Sequence, residues 1–395
     1  MLIKFSPPDI TELEINAVTD ALRSGRITTG PRTRELEARL SAYVGTERTV
    51  CLSSATAALE LALRVLGIGE GDEVIVPAYT YTASASPVLH VGATLRLIDV
   101  ARGSFHMDYD ALSAAITEKT KAVIPVDVGG VPCDYARIYA TLEEKKHLFT
   151  PRNEREALLG RPYVIADCAH ALGASLGGIR AGALADLSIL SFTEGERTGA
   201  AITWREAEGL DSDGLYRELS LLSLAADTRN DPEGVLCGAW EYDALSPAYK
   251  CNMTDAQASI GLARLSRCDA MLARRHEIVA YYDAAFAELG IRTLRHTGEG
   301  LYSSAHLYLT HIPDTFDGRR RAFMDYMARA GVVTNVHYKP LPMMTAYRAL
   351  GFDINDFPNA YCSYQGEITL PLYASLTDEE VAFIASTFRQ CITTI

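Results

Sequence analysis

A short hydroxyl-rich segment follows the apolar run at residues 49–52, where a helical pattern begins. It reads Ser53-Ser54-Ala55-Thr56. Small residues at such a turn let backbone N–H groups approach a phosphate, and the helix N-terminus favours negative charge. The segment therefore indicates a phosphate site. The same residue types also form ordinary strand-to-helix turns, so both interpretations stay open on these residues alone.

The apolar run at 163–170 ends in a carboxylate and an imidazole, Asp167 and His170. A carboxylate beside a pyridine nitrogen keeps that ring protonated and able to withdraw electrons. The alternative is a helix-capping Asp and a packed His. Tyr81, near the end of the segment 77–82, has an aromatic face that could stack on a flat ring. A tyrosine of the hydrophobic core would stand in the same context.

A further polar segment, residues 249–255, precedes a long helical pattern and reads Tyr-Lys-Cys-Asn-Met-Thr-Asp. Asn252 is its candidate for ligand binding. The alternative is a capping segment in which Thr254 or Asp255 begins the helix.

The elements around these segments indicate a layered α/β architecture. Apolar runs without alternation recur between helical patterns from residue 49 to residue 204, which is typical of parallel strands covered on both faces. One of the helices is predicted over 82–92. We therefore predict a doubly wound, mostly parallel central sheet. In such sheets ligands bind beyond the carboxyl ends of the strands, where the polar segments lie.

The strand pattern fades after residue 205. The later predicted elements are an amphipathic helix at 255–290 and strands at 306–312, 333–338 and 367–373. We expect two domains: a large ligand-binding α/β domain over 1–254 and a smaller α+β domain over 255–395.

Composition narrows the functional classes. The chain has 395 residues, a net charge of −13 and a pI of about 5.2, which argues against a nucleic-acid binder but is compatible with a local anion-binding pocket. Apolar stretches are too short to span a bilayer and the N-terminus has no apolar signal core, so we expect a cytoplasmic protein without membrane contact. The eight cysteines include no CxxC pair, which favours free thiols over a metal site.

The polar segments and much of the sequence between them resemble one family. The matching segments, in order, include GPRTRELEARLSAYVG, SSATAALELAL, IADCAHALGASLGGIRAG, YKCNMTDAQASIGLARL, TNVHYKPLP and ITLPLY. They are similar to the DegT/StrS family of nucleotide-sugar aminotransferases, and most of all to its branch in bacterial surface-polysaccharide synthesis. The resemblance implies a fold-type I architecture, a pyridoxal phosphate (PLP) or pyridoxamine phosphate (PMP) cofactor, a nucleotide-sugar ligand and a homodimer.

The resemblance also implies a cofactor contact for each candidate residue. The implied contacts are Tyr81 stacked on the pyridine ring, Asp167 on the ring nitrogen, His170 beside the ring, Ala55, Thr56 and Ser191 on the phosphate, and Asn252 on the phosphate of the other subunit.

One residue that the resemblance requires is absent. Counted from Phe192, the position of the family's Schiff-base lysine is occupied by Glu196, in a loop that is shorter than the family's and contains no lysine. The segment 224–230 also departs from the family. The lysines of the chain are Lys4, Lys119, Lys121, Lys145, Lys146, Lys250 and Lys339, and none is an obvious substitute. Arginine stays protonated and glutamate cannot form an imine, so transamination should be slowed by orders of magnitude.

Three interpretations follow, and no catalytic residue is assigned. In the first, the chain keeps the family's fold and acts as a binding or scaffold subunit, for example beside an active relative. It then binds PLP, PMP or a nucleotide sugar loosely and without a covalent bond, or binds no cofactor at all. In the second, it is a PMP-dependent enzyme similar to the family's sugar dehydratases, with Glu194, Glu196 or His170 as the base. In the third, it is an ordinary aminotransferase, and the comparison of this loop with the family's loop is misleading. We expect a protein that is impaired or inactive in transamination.

Overall fold

The structure, a computed structural model, describes residues 2–192, 199–205, 210–227, 243–312 and 319–395. The strands up to residue 204 are β1 (Arg48–Leu52), β2 (Glu73–Pro77), β3 (Thr94–Ile98), β4 (Thr120–Val123), β5 (Tyr163–Cys168), β6 (Ser175–Leu176), β7 (Ile179–Arg180), β8 (Leu187–Ser191) and β9 (Ala200–Trp204). Among the predicted positions, Glu194, Glu196 and residues 228–230 lie outside the described residues.

A seven-stranded sheet in the order β1-β9-β8-β5-β4-β2-β3 forms the centre of the molecule. The pairs β2–β3, β2–β4, β4–β5 and β5–β8 are parallel, whereas β9 runs antiparallel to both β1 and β8. The predicted mostly parallel central sheet is therefore confirmed.

Both faces of this sheet are buried, because successive side chains of a strand point to opposite faces. In β5, Ile165 packs into one hydrophobic cluster, whereas Val164 and Ala166 pack into another. The helices of this part of the chain are α1 (Glu12–Arg23), α2 (Pro31–Val44), α3 (Ala55–Val65), α4 (Ser86–His90), α5 (Tyr109–Ala115), α6 (Tyr135–Lys145), α7 (Glu154–Leu159) and α8 (Ser212–Ser223).

The C-terminal part is a helix-covered small sheet. Its helices are α9 (Asp255–Phe286), α10 (Arg320–Arg329), α11 (Thr345–Ala349), α12 (Pro358–Gln365) and α13 (Asp378–Thr394), and its strands are β10 (Arg292–Thr293), β11 (Thr297–Gly298), β12 (Leu301–Tyr302), β13 (Tyr308–His311) and β14 (Glu367–Leu370). Strands β10, β13 and β14 form one sheet, and the hairpin β11–β12 joins β6–β7 of the first part in a four-stranded sheet. The division into domains at residue 255 stays a prediction.

Local capping explains where the long helices begin. Helices α1, α9 and α13 each begin with a capping box, in which a threonine accepts the N–H of a Glu or Gln that in turn accepts the threonine N–H. In the described ranges, no helix is both long and apolar enough to cross a membrane.

Two predicted elements differ in the structure. The helix at 82–92 is divided into a short 3-10 helix, Thr82–Ser84, and α4, because Pro87 cannot donate a backbone hydrogen bond. The strand at 333–338 is not formed: Asn335 makes one isolated bridge to Thr369, and the next two N–H groups donate to side chains, to Asn335 Oδ1 and Glu367 Oε2. Side-chain acceptors therefore take the place of a neighbouring strand.

Candidate functional site

A cavity of about 770 Å³ lies beyond the carboxyl ends of β1, β2, β5 and β8. Residues 306–307, 337–338 and 370–373 of the C-terminal part close it from the other side. The predicted residues that line it are Ala55, Thr56, Tyr81, Asp167, His170 and Ser191. Segments far apart in sequence thus meet in one place, as the position of the strand ends predicts.

One end of the cavity is a cradle at the N-terminus of α3. The Ser54 hydroxyl accepts the N–H of Ala57 at 3.2 Å and the Ser54 carbonyl accepts that of Ala58. The N–H groups of Ala55 and Thr56 have no acceptor among the described residues, so they are available to an anion. Hydroxyl groups of Thr56 and Ser191 line the same end.

Gly199 provides part of the space in this cradle. Its φ of +129° lies in the region that side-chain-bearing residues rarely adopt. A Cβ at this position would lie 2.5 Å from Met253 Cε and 3.0 Å from the Leu52 carbonyl. A larger residue at position 199 would therefore collide with Met253 and with the carboxyl end of β1.

The other end of the cavity holds a buried carboxylate. Asp167 is only 6% exposed. Its Oδ2 accepts the Ser84 hydroxyl at 2.6 Å and its Oδ1 accepts the Ala169 N–H at 3.1 Å, while the Ser84 oxygen lies 2.7 Å from the Thr80 hydroxyl. Burial raises the pKa of Asp167 in spite of these donors. A cationic N–H in the cavity would stabilise the ionised form.

Aromatic rings flank the space between the two ends. Tyr81 is 52% exposed, and its ring centre lies 5.9 Å from that of Tyr338. His170 accepts the Gly129 N–H on Nδ1 at 3.3 Å and its Nε2 lies 2.9 Å from the Tyr338 hydroxyl. Burial lowers the pKa of His170 to about 3. The ring is therefore neutral, with the proton on Nε2.

His306 stacks on His170 with 4.3 Å between the ring centres. Both rings line the cavity, together with His337. Burial, followed by the charges of nearby groups, lowers the pKa of His306 well below its ordinary value. Three imidazoles with lowered pKa values, which are neutral at neutral pH, thus line the cavity.

Asn252 lies outside the cavity wall of its own chain. Its Nδ2 donates to the Thr29 hydroxyl at 2.8 Å, and its backbone bridges to Leu52. The structure thus places six of the predicted residues together and leaves this one apart, as expected for a residue whose predicted contact is with another subunit.

The described wall of the cavity contains no lysine. Lys121 is buried elsewhere, where it pairs with Glu156 at 2.8 Å. Lys250 and Lys339 are exposed. The residues 193–198, which follow β8, contain no lysine in the sequence and lie outside the described residues.

Several residues of the cavity were missed by sequence reasoning. His337 and Tyr338 stand in the segment TNVHYKPLP. The sequence pattern predicts a strand for this segment, so it does not single out the polar side chains for the ligand site. His306 begins a predicted strand and has the same explanation. Ser84 had no signal, because its contact with Asp167 joins residues 83 positions apart.

Residues 8–389 match the model of the DegT/DnrJ/EryC1/StrS aminotransferase family. The chain belongs to this family. Among its relatives, the spore coat polysaccharide biosynthesis protein SpsC of Bacillus subtilis is 34% identical over 400 residues, which cover 99% of this chain and 97% of SpsC. The predicted family and fold type are therefore confirmed, and this family fold implies PLP chemistry.

Solved structures of family members superpose closely on the chain. Spr1654 from Streptococcus pneumoniae, named as a sugar aminotransferase, has a TM-score of 0.96 in its PMP form, with 49% identity and 99% of each chain covered. Its PLP form has a TM-score of 0.95 at 48% identity, with 100% of this chain and 99% of that chain covered. The fold is shared over the full length of both proteins.

Proposed function

We propose that this family member is a sugar-aminotransferase-like protein of surface-polysaccharide biosynthesis that binds PLP or PMP non-covalently and is impaired or inactive in transamination. One observation carries the proposal: the cavity has a phosphate cradle and a buried carboxylate, yet no lysine lines its described wall or stands in the sequence of the adjoining loop.

The residues present fit the cofactor at both ends. The N–H groups of Ala55 and Thr56, which have no acceptor in the described part of the chain, would hold its phosphate together with the Ser191 hydroxyl. The carboxylate of Asp167 would hold its ring nitrogen in the protonated form, and Tyr81 would cover one ring face. When bound, the cofactor would supply an electron sink for moving an amino group.

The missing amine accounts for the proposed impairment. A lysine in the site would bind the cofactor covalently and carry a proton between reacting carbons. The guanidinium of an arginine stays protonated, and a carboxylate cannot form an imine. The described side chains that line the cavity can bind and orient a ligand and exchange protons with it. None of them is an amine, so none can form the covalent bond to the cofactor.

The ligand is proposed from the relatives. SpsC is named for polysaccharide biosynthesis and Spr1654 as a sugar aminotransferase, so we assign a nucleotide sugar as the small-molecule ligand. We further propose a homodimer, in which Asn252 of one subunit faces the cofactor phosphate of the other.

A second candidate is a PMP-dependent sugar enzyme of altered chemistry. It is favoured by the imidazoles of His170, His306 and His337, which line the cavity and could hold or move protons. Consumption of a nucleotide sugar with PMP, without amino transfer, would distinguish this enzyme from an inactive homologue.

Equilibrium binding tests the main proposal. We expect the addition of PLP to give a saturable change in its absorbance spectrum that dialysis reverses. The substitution Asp167→Asn should weaken the affinity for PLP at least tenfold. Asp134→Asn is the matched control, because this residue caps α6 through Asp134 Oδ1 and asparagine caps equally well. The absence of saturable binding to the wild-type chain, or rapid amino transfer to PLP, would refute the proposal.

A further inference from the structure

A hydrogen-bonded chain leads from a buried carboxyl to the cavity. Glu367 is the first residue of β14 and is fully buried. The Thr369 hydroxyl bonds to Glu367 Oε1 at 2.5 Å, and His337 Nδ1 lies 2.9 Å from the Thr369 oxygen. His337 lines the cavity, so these hydrogen bonds join the interior of the small sheet to the ligand space.

Because Thr369 has a single hydroxyl proton, the hydrogen bonds that join Glu367, Thr369 and His337 can run in two alternative directions. When Glu367 is ionised, Thr369 donates to it and accepts the Nδ1–H of His337, which leaves a lone pair on Nε2. When Glu367 is protonated, its proton sits on Oε1, because Oε2 accepts the His337 backbone N–H at 2.9 Å. Thr369 then donates to Nδ1, and Nε2 carries the hydrogen.

The surroundings favour a proton on the carboxyl over a charge on the imidazole. Burial raises the pKa of Glu367 to about 8 and lowers the pKa of His337 to about 4. The proton of the chain therefore resides on Glu367 at neutral pH, and His337 stays neutral. The other titratable or charged groups that face this pair are Tyr79, Tyr338, Arg320, His311, His170 and His306.

We propose that Glu367, Thr369 and His337 form a proton relay that serves the cavity. His337 gives its Nε2 proton to the ligand, Thr369 passes its hydroxyl proton to Nδ1, and Glu367 passes its carboxyl proton to Thr369. Three protons each move one place, no electrons are transferred, and the carboxyl ends as a carboxylate. The reverse sequence takes a proton from the ligand.

This relay goes beyond the proposed function, because the exchange of tautomers on which it depends takes place in the protein whether or not a ligand is bound. It also separates the histidines of the cavity by role. His170 is hydrogen bonded on both ring nitrogens, to Gly129 and Tyr338, and is therefore oriented by them. His337 presents to the cavity a nitrogen whose proton is set by a group behind it.

The relay is tested by ¹⁵N NMR of the ring nitrogens in the chain labelled at histidine, with signals assigned through a His337→Gln variant. We expect His337 to carry its proton on Nε2 below the Glu367 pKa of about 8 and on Nδ1 above it. Thr369→Val should abolish this exchange of tautomers, whereas Thr369→Ser should keep it.

The matched control is Thr310→Val. Thr310 is also buried, lies on the neighbouring strand β13 and donates to the Ile368 carbonyl at 2.7 Å, outside the relay. This variant should keep the exchange. If Thr369→Val does not fold, Glu367→Gln provides the same test, since an amide does not titrate. A tautomer that is constant across this pH range in the wild type, or an exchange that survives in Thr369→Val or in Glu367→Gln, overturns the proposal.

Discussion

At the end of the cavity where the cofactor ring would bind, the chemistry depends on the Asp167 carboxylate and on the Ser84 and Thr80 hydroxyls behind it. The Ser84 proton is directed at Asp167, so the Thr80 hydroxyl donates to Ser84 in turn. Burial raises the pKa of Asp167, and the hydrogen bond from Ser84 opposes that effect. Loss of a donor would shift the carboxyl towards its neutral form, which cannot pair with a cationic ring nitrogen.

Ser84→Ala should therefore weaken PLP binding. A hydrogen bond to a charged group contributes about 1.5–3 kcal/mol, so we expect the Kd to rise by at least about tenfold. Ser188→Ala is the control, since this hydroxyl is fully buried in β8 and has no partner among the described residues. Fluorescence or absorbance titration measures both. Equal affinities of the two variants would contradict the role given to Ser84.

At this scale the sequence predicted types of group better than contacts. Asp167 could be identified because it stands at the end of an apolar run, and Tyr81 because it follows another such run within a few residues. The link from Ser84 could not, because it depends on how the folded sheet places the 3-10 helix Thr82–Ser84 beside β5. The relay residues were hidden for the same reason.

Among the secondary-structure elements, α2 and α9 are joined at their N-termini by a shared carboxylate. Asp255, the first residue of α9, accepts the Thr33 N–H at 3.0 Å and the Thr33 hydroxyl at 2.8 Å. A Cβ on Gly30, which precedes α2, would lie 2.5 Å from Asp255 Oδ2. The junction positions the segment that carries Asn252.

Asp255→Ala should destabilise the fold. Each buried donor left without an acceptor costs about 1–3 kcal/mol, so we expect the free energy of unfolding to fall by about 3 kcal/mol. Asp378→Ala, at the start of α13, should cost less than about 1 kcal/mol, because its ion pair with Arg274 is exposed. Denaturant titration compares them. A loss for Asp255→Ala no greater than that for Asp378→Ala would contradict this account.

Element types could be predicted where hydrophobic pattern decides them. The runs of β5 and β8 are buried on both faces, and they read as apolar runs in the sequence. The segment 333–338 has strand-like composition, yet Asn335 and Glu367 side chains take its N–H groups. Periodicity carries no information about such tertiary acceptors.

For the molecule as a whole, apolar side chains near the N-terminus that are exposed in the single chain suggest a surface that a second copy of the chain covers. Ile15 and Leu22, seven residues apart on one face of α1, are 48% and 56% exposed, and Ile27 is 60% exposed. Exposed apolar side chains that share one helix face favour a protein interface at that face. Asn252, which bonds to Thr29, lies near this segment.

We therefore expect a dimer of twice 43.0 kDa by light scattering. Ile27→Asp should shift the protein towards monomer, because it places a charge on the apolar surface. Leu158→Asp is the control: this leucine is 57% exposed on α7, away from Asn252 in sequence. A wild-type monomer at all concentrations, or equal behaviour of the two variants, would exclude this surface as the dimer interface.

The central claim is that a family cavity binds its cofactor without a lysine, and reduction with borohydride tests it most directly. Borohydride converts an imine between PLP and a lysine into a stable amine. We predict that the PLP-loaded protein, reduced and then denatured, keeps the mass of the chain alone. A stoichiometric adduct on one lysine peptide, Lys250 for example, that Asp167→Asn abolishes would contradict the claim.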